Sequence, residues 1–116
     1  MAYMNRNKVD QVLAAYAAGG QPEREAEKAA VKETLNALIE QAPGHSVEVR
    51  VVPYAAVQAI PGGQHRRGTP PATVECDART WLELAAGVTT WVEATDQGRV
   101  DASGERSNLS EWLPLA

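Results

Sequence analysis

The feature that most limits this chain is a change in apolar period at Pro43-Gly44. Before it, apolar residues recur with the 3.6 period of a helix; after it, they alternate with period two. Residues 7–18 carry Val9, Val12, Leu13, Tyr16 and Ala17 on one helical face. Asn7 is placed to accept a first-turn N–H, with Asp10 near the positive end of the helix dipole. Gly19 and Gly20 suit a C-terminal cap. Pro22 can open a second helix, since its missing N–H is harmless there. That helix is expected to reach residue 41, with Val31, Leu35, Leu38, Ile39 and Ala42 as its apolar stripe. Glu23, Arg24, Glu25, Glu27, Lys28, Lys32 and Glu33 read as its solvated face.

Beyond Gly44, Val47, Val49 and Val51 alternate with Glu48 and Arg50, the pattern of a half-buried strand. Pro53 interrupts it, and residues 54–60 are ambiguous: Val57 and Ala59 suit a strand, the favoured reading, but Ala-rich sequence after Pro53 could also start a helix. Residues 61–71 form the longest loop, with His65, Arg66 and Arg67 at its centre. A short strand over 73–76 follows, with Val74 and Cys76 facing one way. Asp77 then caps a helix carrying Trp81, Leu82, Leu84 and Ala85, which Gly87 closes. A second short helix over 89–96 turns Trp91 inward, and Gly98 ends it. Residues 99–103 make a last strand with Val100 and Ala102 inward. Asn108 and Glu111 have capping-box spacing for a final helical turn carrying Leu109, Trp112 and Leu113. Helices and strands do not alternate strictly, so the expected class is α+β.

Length and charge narrow the function. The 116 residues fit one domain with one ordinary core. No Phe is present, so Trp81, Trp91 and Trp112 supply much of the large apolar volume. The net charge of −4, with both signs interspersed, disfavours nucleic acid and anionic membrane surfaces as partners. No stretch has the length and apolarity of a membrane span or signal peptide. The single Cys76 cannot form an internal disulfide and fits a reducing compartment. The expected location is the cytoplasm, without stable membrane insertion.

Chemistry-bearing constellations are sparse. Metal binding needs convergent ligands, and His45, His65 and Cys76 fall in three separate contexts. No metal or cofactor is expected. Cys76 reads as a small buried thiol on the apolar side of a strand. Ser107 and Ser110 read as capping residues. No nucleophile–base pair can be named, so the chain is not read as an enzyme. Arg66 and Arg67 lie beside flexible backbone and suit a phosphate or carboxylate, although the loop lacks the Gly-Lys-Ser/Thr run of a phosphate loop. The three Trp residues either fill the core or line an apolar pocket.

Val74-Glu-Cys-Asp77 leads to Trp81-Leu-Glu-Leu84, then Gly87, Trp91, Gly98, Arg99-Val100, Ser103-Gly104 and Leu109-Ser-Glu-Trp-Leu113. This arrangement resembles the sterol carrier protein type 2 family. Pro53-Tyr-Ala-Ala-Val-Gln58 and His65-Arg-Arg-Gly-Thr-Pro-Pro71 are similar to the short standalone actinobacterial members. They are also similar to the C-terminal domain of mycothiol-dependent maleylpyruvate isomerases. The His ligands of the isomerases' metal-binding bundle have no counterpart here, so the resemblance does not carry their activity. Covering roughly residues 47–115, it implies a small mixed, curved sheet covered by helices, with an apolar tunnel between them; the N-terminal helical hairpin over residues 1–42 is read from the periodicity alone.

On this basis the chain is expected to be a non-catalytic carrier of an apolar or amphipathic molecule of the sterol, fatty acid or acyl-CoA class. Trp81, Leu84, Trp91, Leu109, Trp112 and Leu113 would form the apolar wall, with Arg66 and Arg67 at an anionic head group. The alternative is a structural or regulatory interaction domain with a closed core and no ligand, either homodimeric or bound to another protein.

Overall fold

A computed structural model describes residues 4–62, 72–104 and 107–116. Arg66 and Arg67, expected to touch a head group, lie outside the described residues. The elements run α1 (Arg6–Ala17), α2 (Arg24–Gln41), β1 (Val47–Val52), β2 (Ala55–Ala59), β3 (Ala72–Asp77), α3 (Ala78–Ala86), α4 (Trp91–Asp96) and β4 (Val100–Ser103). This is the expected α+β fold, and the ambiguous residues after Pro53 are indeed a strand.

The period change at Pro43-Gly44 has a backbone cause as well as a side-chain one. Ala42 O accepts from Ile60 N at 2.7 Å, and Ile60 O accepts from Ser46 N at 3.2 Å. These bonds fold the end of β2 onto the α2–β1 turn. A Cβ on Gly44 would sit 2.1 Å from Ile60 O, so only glycine fits. Ile60 itself has φ 76°, a costly conformation for a β-branched residue, and its paired N–H and C=O hold it there.

The sheet order is β2-β1-β3-β4, with β1 and β3 parallel and both outer pairs antiparallel. Alternation sorts its two faces. Val47, Val49 and Val51 of β1, with Ala72, Val74 and Cys76 of β3, are buried beneath the helices. Glu48, Arg50 and Glu75 lie on the opposite face, where Arg50 reaches Glu48 at 2.9 Å and its register partner Glu75 at 3.9 Å. The helices therefore cover one face and leave a polar face to solvent.

Helix α3 is buried almost all round, including Thr80, Trp81, Leu82, Glu83, Leu84 and Ala85, which marks it as the central helix. Asp77 caps it, accepting from Thr80 N at 2.8 Å. Helix α2 packs Ala30, Val31, Thr34, Leu35, Ala37 and Leu38 into the same core.

Three local expectations are corrected. The cap of α1 is Asn5, not Asn7; Asn5 has the extended backbone a cap requires and accepts from Asn7 N at 3.0 Å. In β4 only Val100 is partly covered, and Ala102 is exposed. The C-terminal segment makes turns instead of a helix: Asn108 Oδ1 accepts from Ser110 N at 2.9 Å, closing an Asx turn.

Candidate functional site

The chain after α3 builds an apolar recess. Gly87 ends α3 in the left-handed conformation, φ 81°, and Val88 N then returns to Glu83 O at 2.8 Å. Thr90 caps α4 through a reciprocal box: Glu93 N donates to Thr90 Oγ1, and Thr90 Oγ1 donates to Glu93 Oε1, both at 3.1 Å. The C-terminal segment closes the other side. It is held by Trp112 N to Leu109 O at 3.0 Å and Leu115 N to Ala85 O at 2.9 Å. Pro114 lies over Gly87, where a Cβ would stand 3.4 Å from two of its ring carbons.

Between these segments lies a groove of about 290 Å³, open to solvent and mostly apolar. Trp91, Val92, Leu113 and Pro114 form its greasy lining, with Thr90 and Ser110 among its polar atoms. Its volume stands near the lower end of the ~300–1,000 Å³ of ligand pockets. Val92, and Val88 four residues before it, are each 62% exposed, which is unusual for a large apolar side chain in this fold.

The structure separates the six apolar residues singled out from sequence. Trp91 and Leu113 line the groove. Trp112 is half-buried against the core. Leu84 and Leu109 are fully buried, and Trp81 is 0% exposed. Trp81 Nε1 donates to Thr34 Oγ1 at 2.7 Å, across the α2–α3 contact. Val92, Thr90 and Pro114 were not anticipated as lining. The Thr90-x-x-Glu93 spacing was a readable sign of the cap that sets their positions.

A second, polar cleft of about 270 Å³ opens where β1 ends and α3 begins, lined by Tyr16, Glu27, Asp77 and Arg79 among others. Glu27, expected on a solvated face, instead accepts the hydroxyls of both Tyr16 and Tyr54, the latter at 2.7 Å. Burial, then the Glu27 hydrogen bond, raises the Tyr16 pKa; for Tyr54 the Glu27 bond leads and burial follows. Both phenols stay protonated at neutral pH, so the trio ties α1, α2 and the β1–β2 turn together. Arg79 lies over the Tyr16 ring, 5.2 Å from its centroid, and its Nε bonds Glu83 Oε2 at 3.2 Å. Glu83 also takes Arg99, whose Nε reaches Thr80 Oγ1 at 3.1 Å.

The remaining candidates are quiet. Burial, with the adjacent Asp77 charge second, pushes the Cys76 thiol up to about 12, so it is protonated and unreactive at neutral pH. His45 faces Gln58 Oε1 at 2.9 Å. Among the described residues no group of three His, Cys, Asp or Glu could hold a metal ion. No helix among them is long and apolar enough to cross a membrane.

Comparison with curated proteins returns no match. The model of a family described as bacterial SCP ortholog matches residues 23–115, from just before α2 to the end of the groove-forming segment and about four-fifths of the chain. With the mixed sheet, the central α3 and the Gly87-closed turn all inside that span, the chain belongs to this sterol-carrier-protein-like family.

Proposed function

We propose that the protein is a non-catalytic, cytoplasmic carrier of an apolar or amphipathic small molecule, of the sterol, fatty acid or acyl-CoA class, with the whole chain acting as one domain. The observation that carries this reading is the groove at Trp91, Val92, Leu113 and Pro114, a solvent-open apolar recess in a chain of a carrier-type family. Its small volume suits one acyl chain, or one end of a larger molecule, better than an enclosed sterol. Trp81, Leu84 and Leu109 are fully buried in the core and are not among its lining residues.

A fluorescent fatty-acyl probe titrated against the tryptophans tests the reading. Saturable energy transfer, displaced by unlabelled lipid, is expected. Val92→Asp, at an exposed position that leaves the fold intact, should weaken binding roughly tenfold by placing a charge in the apolar lining. No saturable transfer, or unchanged affinity in Val92→Asp, overturns it. A second reading draws on the exposed Val88 and Val92, which also suit a protein-docking edge with a closed core behind it. Concentration-dependent dimerisation abolished by Val88→Asp, with no ligand transfer, would select that alternative.

A further inference from the structure

Buried polar groups in a folded chain are hydrogen-bonded, and one without a partner calls for a reason. Two such groups line the groove, and on the ligand-binding reading above they acquire a partner. Thr89 is 9% exposed and Trp91 8%, and both are lining residues. Their bonds run through the backbone: Thr89 N donates to Glu83 O at 3.3 Å, and Trp91 O accepts from Thr95 Oγ1 at 2.9 Å. Among the described residues, the Thr89 hydroxyl and the Trp91 indole N–H meet no partner. Trp81 shows the ordinary arrangement for a buried indole, with its N–H taken by Thr34 Oγ1 at 2.7 Å. No side-chain nitrogen or oxygen sealed inside the described part of the fold is left unpaired, so the Thr89 and Trp91 groups reach solvent. The solvent at two side chains so deeply placed is that of the recess they line. The neighbouring Thr90 hydroxyl is already committed, accepting from Glu93 N and donating to Glu93 Oε1, both at 3.1 Å.

We infer that the Trp91 indole N–H and the Thr89 hydroxyl are the recognition donors of the groove, and that they take the oxygen of an acyl head: a carboxylate, or the carbonyl of an ester or thioester. The hydrocarbon chain then lies on Leu113, Pro114 and the face of the Trp91 ring. A few placed polar groups in an apolar lining are what fix a ligand's orientation. A carboxylate is the stronger acceptor of the two, because a hydrogen bond to an ionised group is the stronger kind. A head with no acceptor oxygen, such as a quaternary ammonium, leaves both donors unmet when its chain displaces their water. Within the classes proposed above, the groove therefore selects fatty acyl compounds by their carbonyl or carboxylate oxygen.

The test titrates dodecanoate and dodecyltrimethylammonium, each below its micellar concentration, into the full chain and follows the indole N–H resonances. The Trp91 signal is assigned by its loss in Trp91→Phe. Dodecanoate should move the Trp91 proton downfield and saturably, while the Trp81 proton, held by Thr34, stays in place. Affinities are then compared in Thr89→Val, which keeps the shape and removes the hydroxyl, and after replacement of Trp91 by 3-benzothienylalanine, which puts sulfur where the N–H stands. Each change should weaken dodecanoate roughly tenfold and dodecyltrimethylammonium by less than about twofold. The wild-type shift and Thr89→Val decide the matter even where the Trp91 replacement fails to fold. Saturable dodecanoate binding with no downfield move of the Trp91 proton, or equal losses for the two amphiphiles, overturns the donor assignment and leaves the carrier reading standing. Absence of saturable binding by either amphiphile overturns the ligand-binding reading itself and this inference with it.

Discussion

Thr34→Val isolates the contact that decides whether Trp81 is a structural residue. Thr34 Oγ1 accepts the indole N–H of Trp81 at 2.7 Å and donates to Ala30 O or Val31 O, each at 2.9 Å. Both residues are completely buried. Valine matches threonine in shape, so packing is retained and only the acceptor disappears. The orphaned indole N–H then costs about 1–3 kcal/mol, with no water to replace the lost partner. The Ala30 and Val31 carbonyls keep their place in the helix ladder, so little is added on their account. We expect a loss of about 1.5 kcal/mol by urea denaturation followed with far-UV circular dichroism, or a Tm drop of about 6 °C. In a Trp81→Phe background the N–H is gone. Thr34→Val should there cost no more than about 0.5 kcal/mol, giving a coupling of about 1 kcal/mol in the double-mutant cycle. Equal costs in the two backgrounds would refute the reasoning, because the penalty would then lie in Thr34 itself.

Two further changes probe other parts of the fold. Gly44→Ala forces a Cβ into Ile60 O at a φ of 152° and should cost at least about 2 kcal/mol in the same urea assay; a loss under about 0.5 kcal/mol would mean the α2–β1 turn can move away from β2. Cys76 has its pKa raised from 9.0 to about 12 in the folded chain, so its contribution to stability is fully present below pH 9 and is lost as pH climbs from about 9 to about 12, where only the unfolded thiol ionises. Cys76→Ala should flatten that decline, and a thiol reagent at pH 8 should label the native protein only at its rate of opening; rapid stoichiometric labelling would place the thiol at the surface.

Much of this fold was legible because its apolar periods are clean. Val47, Val49 and Val51 could face only one way once Glu48 and Arg50 alternated with them, and Asp77 and Gly87 bracketed α3 by their backbone preferences. What escaped was whatever depends on contacts between distant segments. Glu27 sits in a run of charges, and nothing local says that Tyr16 and Tyr54 will converge on it from α1 and the β1–β2 turn. Thr34 lies inside an apolar stripe, and only the placement of Trp81, 47 positions away, makes its hydroxyl necessary. Trp81 and Trp91 are alike in sequence and both are buried, at 0% and 8% exposure. What separates them is the C-terminal segment, which meets Trp91 and not Trp81 at the groove.

That division decides where a ligand can go. A sheet covered on one face has one interior, and here α3 fills it: Trp81, burying on the order of 200 Å² of aromatic surface, is worth several kcal/mol to stability and leaves its space to no guest. Helix α1, which precedes the family match, adds Val9, Val12 and Tyr16 to the same cluster and closes it further. Among the described residues, an apolar groove is found instead at the periphery, where the C-terminal segment meets α3 and α4. That segment is anchored by Leu115 N to Ala85 O, by Met4 N to Ala116 O and by the Gln41 side-chain amide on Ala116, with Leu109 and Leu115 buried in the core. Trp91, Leu113 and Pro114 line the groove and Trp81 does not. Ligand binding should therefore respond to substitutions at Val92, and core stability to substitutions at Thr34 and Trp81.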